Sequence, residues 1–184
     1  ARVVGNVPEG VVRGRSHMVL LVGLSDVPDI VDVGFGGSTP TAPLRLEAGA
    51  EQSTPHEPFR LTAVDSAFLL EAKIEHHWKG LYIFDQQPQV LADYEIPNWY
   101  LCNHPDSHFL ARVVAARVDA GRRYALRNTE LATHFPRQAT ERRTLTSGAE
   151  IRQTLEDVFD IKVPTEPEVD EVFARLAGLT AAVT

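Results

Sequence analysis

The sequence predicts an α+β fold, with an antiparallel barrel or sandwich in its first half and a helical tail. Three observations predict it. Short apolar runs in the first half alternate with polar residues and are cut by Gly and Pro. After Ser147 the apolar residues change to helical spacing. The 184 residues, 43% of them hydrophobic, are enough to bury a core in one large domain or two small ones.

Taken in order, the run from Met18 to Leu24 is apolar and β-prone, and Ile30 to Val33 is a second short strand leading into glycines. Phe59 to Val64 alternates apolar and polar residues, as does Phe68 to Ile74, and His77 to Phe84 completes the set. Asp93 to His104 breaks the period of two and predicts a short helix with Pro97 in its first turn. Leu110 to Val118 and Arg123 to Arg127 read as strands joined at Asp119-Ala-Gly121, and Thr140 to Thr146 as another. In the tail, Ser147 with Glu150 fits a capping box, and Ile151, Leu155, Val158 and Phe159 form an apolar face. Pro164 ends that unit. A last helix is expected from Pro167 to about Leu179, with Val169, Val172, Phe173 and Leu176 on one stripe.

Charge and composition exclude several classes. A net charge of −7 disfavours nucleic acid and anionic membrane surfaces as partners. No apolar run is long enough to span a bilayer. One Cys excludes an internal disulfide framework and, with no signal peptide in view, predicts a cytoplasmic protein. The first residue is Ala1, directly in the strand-like run Ala-Arg-Val-Val, which predicts a cut through a longer protein.

The residues that carry chemistry are His17, in R-G-R-S-H-M-V-L-L-V, and Asp32, in I-V-D-V-G-F-G-G-S-T-P-T. Neighbouring antiparallel strands would bring the carboxylate against the imidazole, fixing the ring tautomer and favouring the protonated ring. A charged imidazole beside a thiol creates a thiolate at neutral pH. That chemistry needs three groups and only two are evident. Alone, the pair also reads as a structural histidine with a satisfied ring. Gly34, Gly36 and Gly37 either make a turn or present N–H groups to a phosphate or acyl oxygen; with no G-K-[ST] the string is not a Walker motif.

The other candidates are weaker. Cys102 is the one thiol, but its neighbours Trp99, Tyr100 and Leu101 predict a part-buried, inert packed residue. His76 and His77 are adjacent, so on a strand they point to opposite faces; His104 and His108 have Pro105 between them. No metal site is expected. Arg137, Arg142 and Arg143 read as a solvated basic face.

The ordered set of motifs resembles the arylamine N-acetyltransferases. It comprises D-V-G-F-G-G at 32–37, the fifteen-position separation of His17 and Asp32, P-T-A-P-L-R-L at 40–46 and W-K-G-L-Y-I-F-D at 78–85. It continues with D-Y-E-I-P-N-W-Y at 93–100, N-H-P-D-S-H-F at 103–109 and L-E-D-V-F-D-I at 155–161. The resemblance implies a cysteine-proteinase-like superfold: a β-barrel domain over 1–105 carrying the His and Asp of a Cys-His-Asp triad, and a smaller α/β lid domain over 106–184. It also implies an N-terminal helical segment of about ninety residues, with an R-G-G-x-C-F-E type motif, preceding Ala1.

By the same resemblance, His17 and Asp32 are catalytic and acetyl passes from acetyl-CoA through an acetyl-cysteine to an aromatic amine or hydrazine. Ser16, Gly36, Gly37 and Ser107 match CoA-binding positions, and Phe35 and Phe109 match the aryl pocket. Local capping by the serines and plain core packing of Phe109 are the alternatives from the residues themselves. The partners implied are an arylamine or hydrazine, CoA and the missing helical segment, without which the 184 residues are expected to be inactive. The competing functions are a transglutaminase-like or papain-like thiol enzyme and a non-catalytic fragment that binds CoA or a partner.

Overall fold

The computed structural model describes residues 1–5, 10–23, 26–136 and 138–181. Leu24, in the first predicted strand, and Arg137, in the basic face, lie outside them. The chain divides into two compact units, Ala1–Pro105 and Asp106–Thr184. None of its described helices is long and apolar enough to cross a membrane.

The first unit holds a five-stranded antiparallel sheet and a three-stranded one. The larger contains β1 (Arg2–Val3), β5 (Glu51–Gln52), β6 (Phe59–Val64), β7 (Ala67–Ile74) and β8 (His77–Phe84), in the order β1-β8-β7-β6-β5. The smaller runs β2-β3-β4, from Leu20–Val22, Asp29–Val31 and Leu44–Arg45. The mixed α+β content with antiparallel sheets is as expected, but the sheets stay open and no closed barrel forms among the described residues. The reason is strand length: β1 to β5 are two or three residues each, too short to carry a continuous ladder around a barrel.

Alternation decides which side chains of the larger sheet go inward. Phe59 and Leu61 of β6 are fully buried, while Arg60 and Thr62, which alternate with them, face outward and bind Glu71 on the neighbouring strand. Ile30 and Leu44 of the small sheet join Phe59, Leu61, Leu70, Leu81 and Tyr82 of the large one in a single apolar cluster. The β7–β8 ladder shifts at Leu70/Glu71: Leu70 pairs with Tyr82 and Glu71 with Gly80, leaving Leu81 as a bulge. The β7–β8 turn is Glu75-His76, both at positive φ, 47° and 70°. His76 is therefore a turn residue, and β8 begins at His77 as the sequence predicts.

Helix α1 spans Leu91–Asn103 and is longer than the sequence predicts, with Pro97 in its interior. The Asp93 carboxylate accepts the Val90 N–H at 2.9 Å and starts the helix two residues before the expected point. None of its residues is buried; Leu91, Ile96, Trp99 and Tyr100 are exposed.

The second unit is an antiparallel sheet, β12-β11-β10-β9, with helices. Its strands are β9 (Val114–Asp119), β10 (Arg122–Arg127), β11 (Glu130–His134) and β12 (Glu141–Thr144). Residues 108–111 form a short helix, α2, so the strand expected from Leu110 begins only at Val114. Helices α3 (Gly148–Asp157) and α4 (Pro167–Ala181) cover a core of Leu126, Leu145, Ile151, Leu155, Phe159 and Phe173. Ser147 Oγ accepts the Glu150 N–H at 3.1 Å, but the Glu150 carboxylate reaches back to Thr146 N and Oγ1 rather than to Ser147. A Cβ on Gly148 would lie 2.9 Å from Ala174 N, so only glycine lets α3 approach α4 this closely.

Candidate active site

His17 lies in the extended segment that leads into β2, three residues before Leu20. Its backbone pairs with that of Ala1: the His17 N–H donates to Ala1 O at 3.4 Å and the Ala1 nitrogen lies 2.7 Å from His17 O. Asp32 follows the last residue of β3, the strand that pairs with β2. This pairing brings the two side chains together: His17 Nε2 is 2.7 Å from Asp32 Oδ2.

The carboxylate is sealed in and fully hydrogen-bonded. Its side chain is 1% exposed, against 12% for the imidazole. Oδ2 accepts from the Tyr82 hydroxyl at 2.7 Å, and Oδ1 from the Gly34 N–H at 2.9 Å. Burial alone would raise its pKa, but the bonds from His17, Gly34 and Tyr82 together hold it below the ordinary carboxylate value. Asp32 is thus an acceptor at neutral pH, and Nε2 of His17 must carry the proton between them. Nδ1 is left as the ring nitrogen that can accept or give a proton, and it has no hydrogen-bond partner among the described residues.

Three rings enclose the pair. The imidazole, Phe35 and Tyr82 meet edge to face or tilted, with centroids 4.9 to 5.1 Å apart. Phe35 precedes a 3-10 turn, Gly36–Ser38, in which Gly36 takes φ of 77° and its carbonyl accepts from Thr39 N and Oγ1. His17 also lines a cavity of about 1150 Å³ whose wall includes Ser16, Met18, Leu20, Ile83 and Tyr94.

The structure therefore brings together His17, Asp32 and Phe35. Ser16 shares the groove, and Gly36 and Gly37 are exposed in the turn after Phe35. Ser107 and Phe109 lie in the second unit: Ser107 is buried at the start of α2, accepting the Leu110 N–H, and Phe109 is exposed with its ring against His108. Cys102 is exposed on α1, its Sγ 3.8 Å from Asn98 Oδ1, which corrects the part-buried expectation: α1 buries none of its residues. Among the described residues no group of three or more His, Cys, Asp or Glu is placed to hold a metal ion.

Tyr82 is the site residue the sequence did not disclose. In W-K-G-L-Y-I-F it reads as one more apolar strand position. The available signal was chemical: a tyrosine in a buried strand must find a partner for its hydroxyl.

A sequence profile of the N-acetyltransferase family matches residues 1–169. The arylamine N-acetyltransferase of Mycobacterium tuberculosis is 39% identical over 159 residues, 83% of this chain and 56% of its own. That of Mycolicibacterium smegmatis is 40% identical over 149 residues, 80% of this chain and 54% of its own. The solved M. tuberculosis enzyme superposes with a TM-score of 0.89 at 35% identity, over 94% of this chain and 66% of that one. The Mycobacterium marinum enzyme, solved in complex with CoA, also gives 0.89 at 35% identity, over 95% and 66%. The chain spans about half the length of the curated relatives it matches.

Proposed function

Because this chain belongs to the arylamine N-acetyltransferase family, we propose that its 184 residues supply the base and the orienting carboxylate of an enzyme that moves acetyl from acetyl-CoA to an aromatic amine or hydrazine. The observation that carries the reading is the sealed 2.7 Å contact of His17 Nε2 with Asp32 Oδ2, which leaves Nδ1 for a nucleophile.

In this reading the nucleophile is a cysteine thiol from outside these residues, since Cys102 is bonded to Asn98 on an exposed helix. Thiol and imidazole form a thiolate–imidazolium pair. The thiolate attacks the acetyl carbonyl, the C–S bond to CoA breaks, and the imidazolium protonates the departing CoA thiolate. The amine then attacks the acetyl-cysteine carbonyl and gives one proton to Nδ1. The cysteine leaves as thiolate, and the starting pair is restored. Asp32 holds the ring in one tautomer and balances its charge throughout.

Phe35, edge-on to the imidazole, supplies part of an apolar wall for the aryl ring. Within the first unit, Ser16, Gly36 and Gly37 are the proposed CoA contacts. The exposed apolar side chains of Met18, Leu20, Leu21 and Leu91 along the groove support a further polypeptide segment as its cover.

The test is CoA release from acetyl-CoA in the presence of an aromatic amine. In the full chain carrying these residues, His17→Gln should cut turnover by at least about a thousandfold and Cys102→Ser should leave it unchanged. The 184 residues alone should release no CoA. Robust release from them that Cys102→Ser abolishes overturns the reading.

A further inference from the structure

The base of the proposed site is carried by a stretch that belongs to no sheet: residues 11–19 form no strand, and β2 begins only at Leu20. No ladder sets where His17 stands, whereas Asp32 directly follows a paired strand. The stretch is held by separate bonds instead. Its backbone meets Ala1 through Ser16 and His17, whose N–H groups share Ala1 O at 3.2 and 3.4 Å, and the Arg2 guanidinium takes Arg13 O at 2.8 Å. Two residues before the imidazole, Arg15 Nη2 reaches Asp85 Oδ2 at 2.5 Å. Asp85 directly follows Phe84, the last residue of β8. Its Oδ1 accepts the Gln87 N–H at 3.2 Å, which orients the carboxylate with Oδ2 on Arg15. Both side chains line the same groove as His17.

An ion pair this open, with side chains 36% and 32% exposed, contributes little to the stability of the fold. It can still set a position, and position matters here: a shift of about 1 Å in a reacting group costs about a hundredfold in rate. We propose that Arg15 and Asp85 are positioning residues for acetyl transfer: their ion pair pins the strandless stretch to the end of β8, so that the His17 imidazole is held against Asp32. This rests on the roles given above to His17 and Asp32. No step of the transfer passes through either charge. They act through the two peptide bonds that separate Arg15 from His17.

The experiment compares Arg15→Gln, Asp85→Asn and the double variant in the full chain, following kcat, the amine KM and the NMR resonance of the His17 Nε2 proton. Each single change should lower kcat about fivefold to tenfold and leave the amine KM within about twofold. Each should also move the resonance, because the imidazole no longer sits against Asp32 at one distance. The double variant should lose no more than either single one, since both changes break the same pair. A pair that only stabilises the fold would lower the melting temperature and leave kcat and the resonance in place. Folded single variants with kcat within about twofold of wild type, or with an unmoved resonance, overturn the proposal. So does a double variant whose loss is the product of the two single losses. If Asp85→Asn does not fold, Arg15→Gln decides by kcat and the resonance. Asp32→Asn separates this from the underlying reading. Full activity in Asp32→Asn defeats the dyad itself, whereas an inactive Asp32→Asn beside a fully active Asp85→Asn defeats only the clamp.

Discussion

The imidazole of His17 and the carboxylate of Asp32 are joined across two neighbouring short strands by one 2.7 Å contact, and the carboxylate side is almost closed to water. An amide in place of that carboxylate keeps the shape and loses the chemistry. Asp32→Asn should lower kcat/KM by about 10² to 10⁴ in acetyl transfer, since the ring loses its tautomer and its counter-charge. Stability should fall by about 1–3 kcal/mol in urea titration, because an amide cannot accept all three donors.

The sign of the pH effect follows from the same bonds. The folded pKa of Asp32 lies below its ordinary value of 3.8. Its contribution to stability is therefore complete above that value and is lost as pH falls through the folded one. Acid unfolding of Asp32→Asn should show a shallower fall over that window than wild type, measured by circular dichroism at fixed ionic strength. An identical slope would remove Asp32 from the acid transition.

Two glycines should behave differently. At Gly148 a methyl group meets the α4 backbone at 2.9 to 3.1 Å, so Gly148→Ala should destabilise by about 1–3 kcal/mol. At Gly34 the nearest atom to an added Cβ is His17 Cε1 at 4.0 Å, and its φ is not in the left-handed region. Gly34→Ala should change the melting temperature far less than Gly148→Ala; thermal denaturation of both variants checks the contrast.

The Glu75-His76 turn offers a gain. Both residues sit at positive φ, where side chains are strained and Asn-Gly is favoured. Replacing the pair by Asn-Gly should raise stability by about 1 kcal/mol and leave acetyl transfer intact. Unchanged or lower stability in urea titration would show that the turn is not a strained point of the fold.

Much of this molecule was legible in its residues. The alternation in Phe59–Val64 and the Ser147 cap define β6 and the start of α3, because each depends on contacts within a few positions. His17 and Asp32 stood out for a different reason: the residues alone left the pair open to a structural reading, and the ordered motifs that resemble the family singled it out. What failed depends on distance in the chain. Strand β11 is too polar in sequence to announce itself and exists because β10 and β12 pair with it. Barrel closure depends on ladder lengths that two-residue strands do not reveal. The Tyr82–Asp32 bond joins residues fifty positions apart, and no local pattern carries it.

The bulge at Leu81 has a consequence for counting. In β8, Trp78, Gly80, Tyr82 and Phe84 are all even-numbered, and an uninterrupted strand would show them on one side. Yet Trp78 lies under Arg60 and Lys73 on the outer surface, while Tyr82 and Phe84 are in the interior. The one supernumerary residue between Gly80 and Tyr82 reverses the parity at that point. A strand that kept all its residues but ran through this point without the bulge would carry every side chain of the proposed site and still turn the phenol outward, so the irregularity here is as much a part of the chemistry as the residues around it.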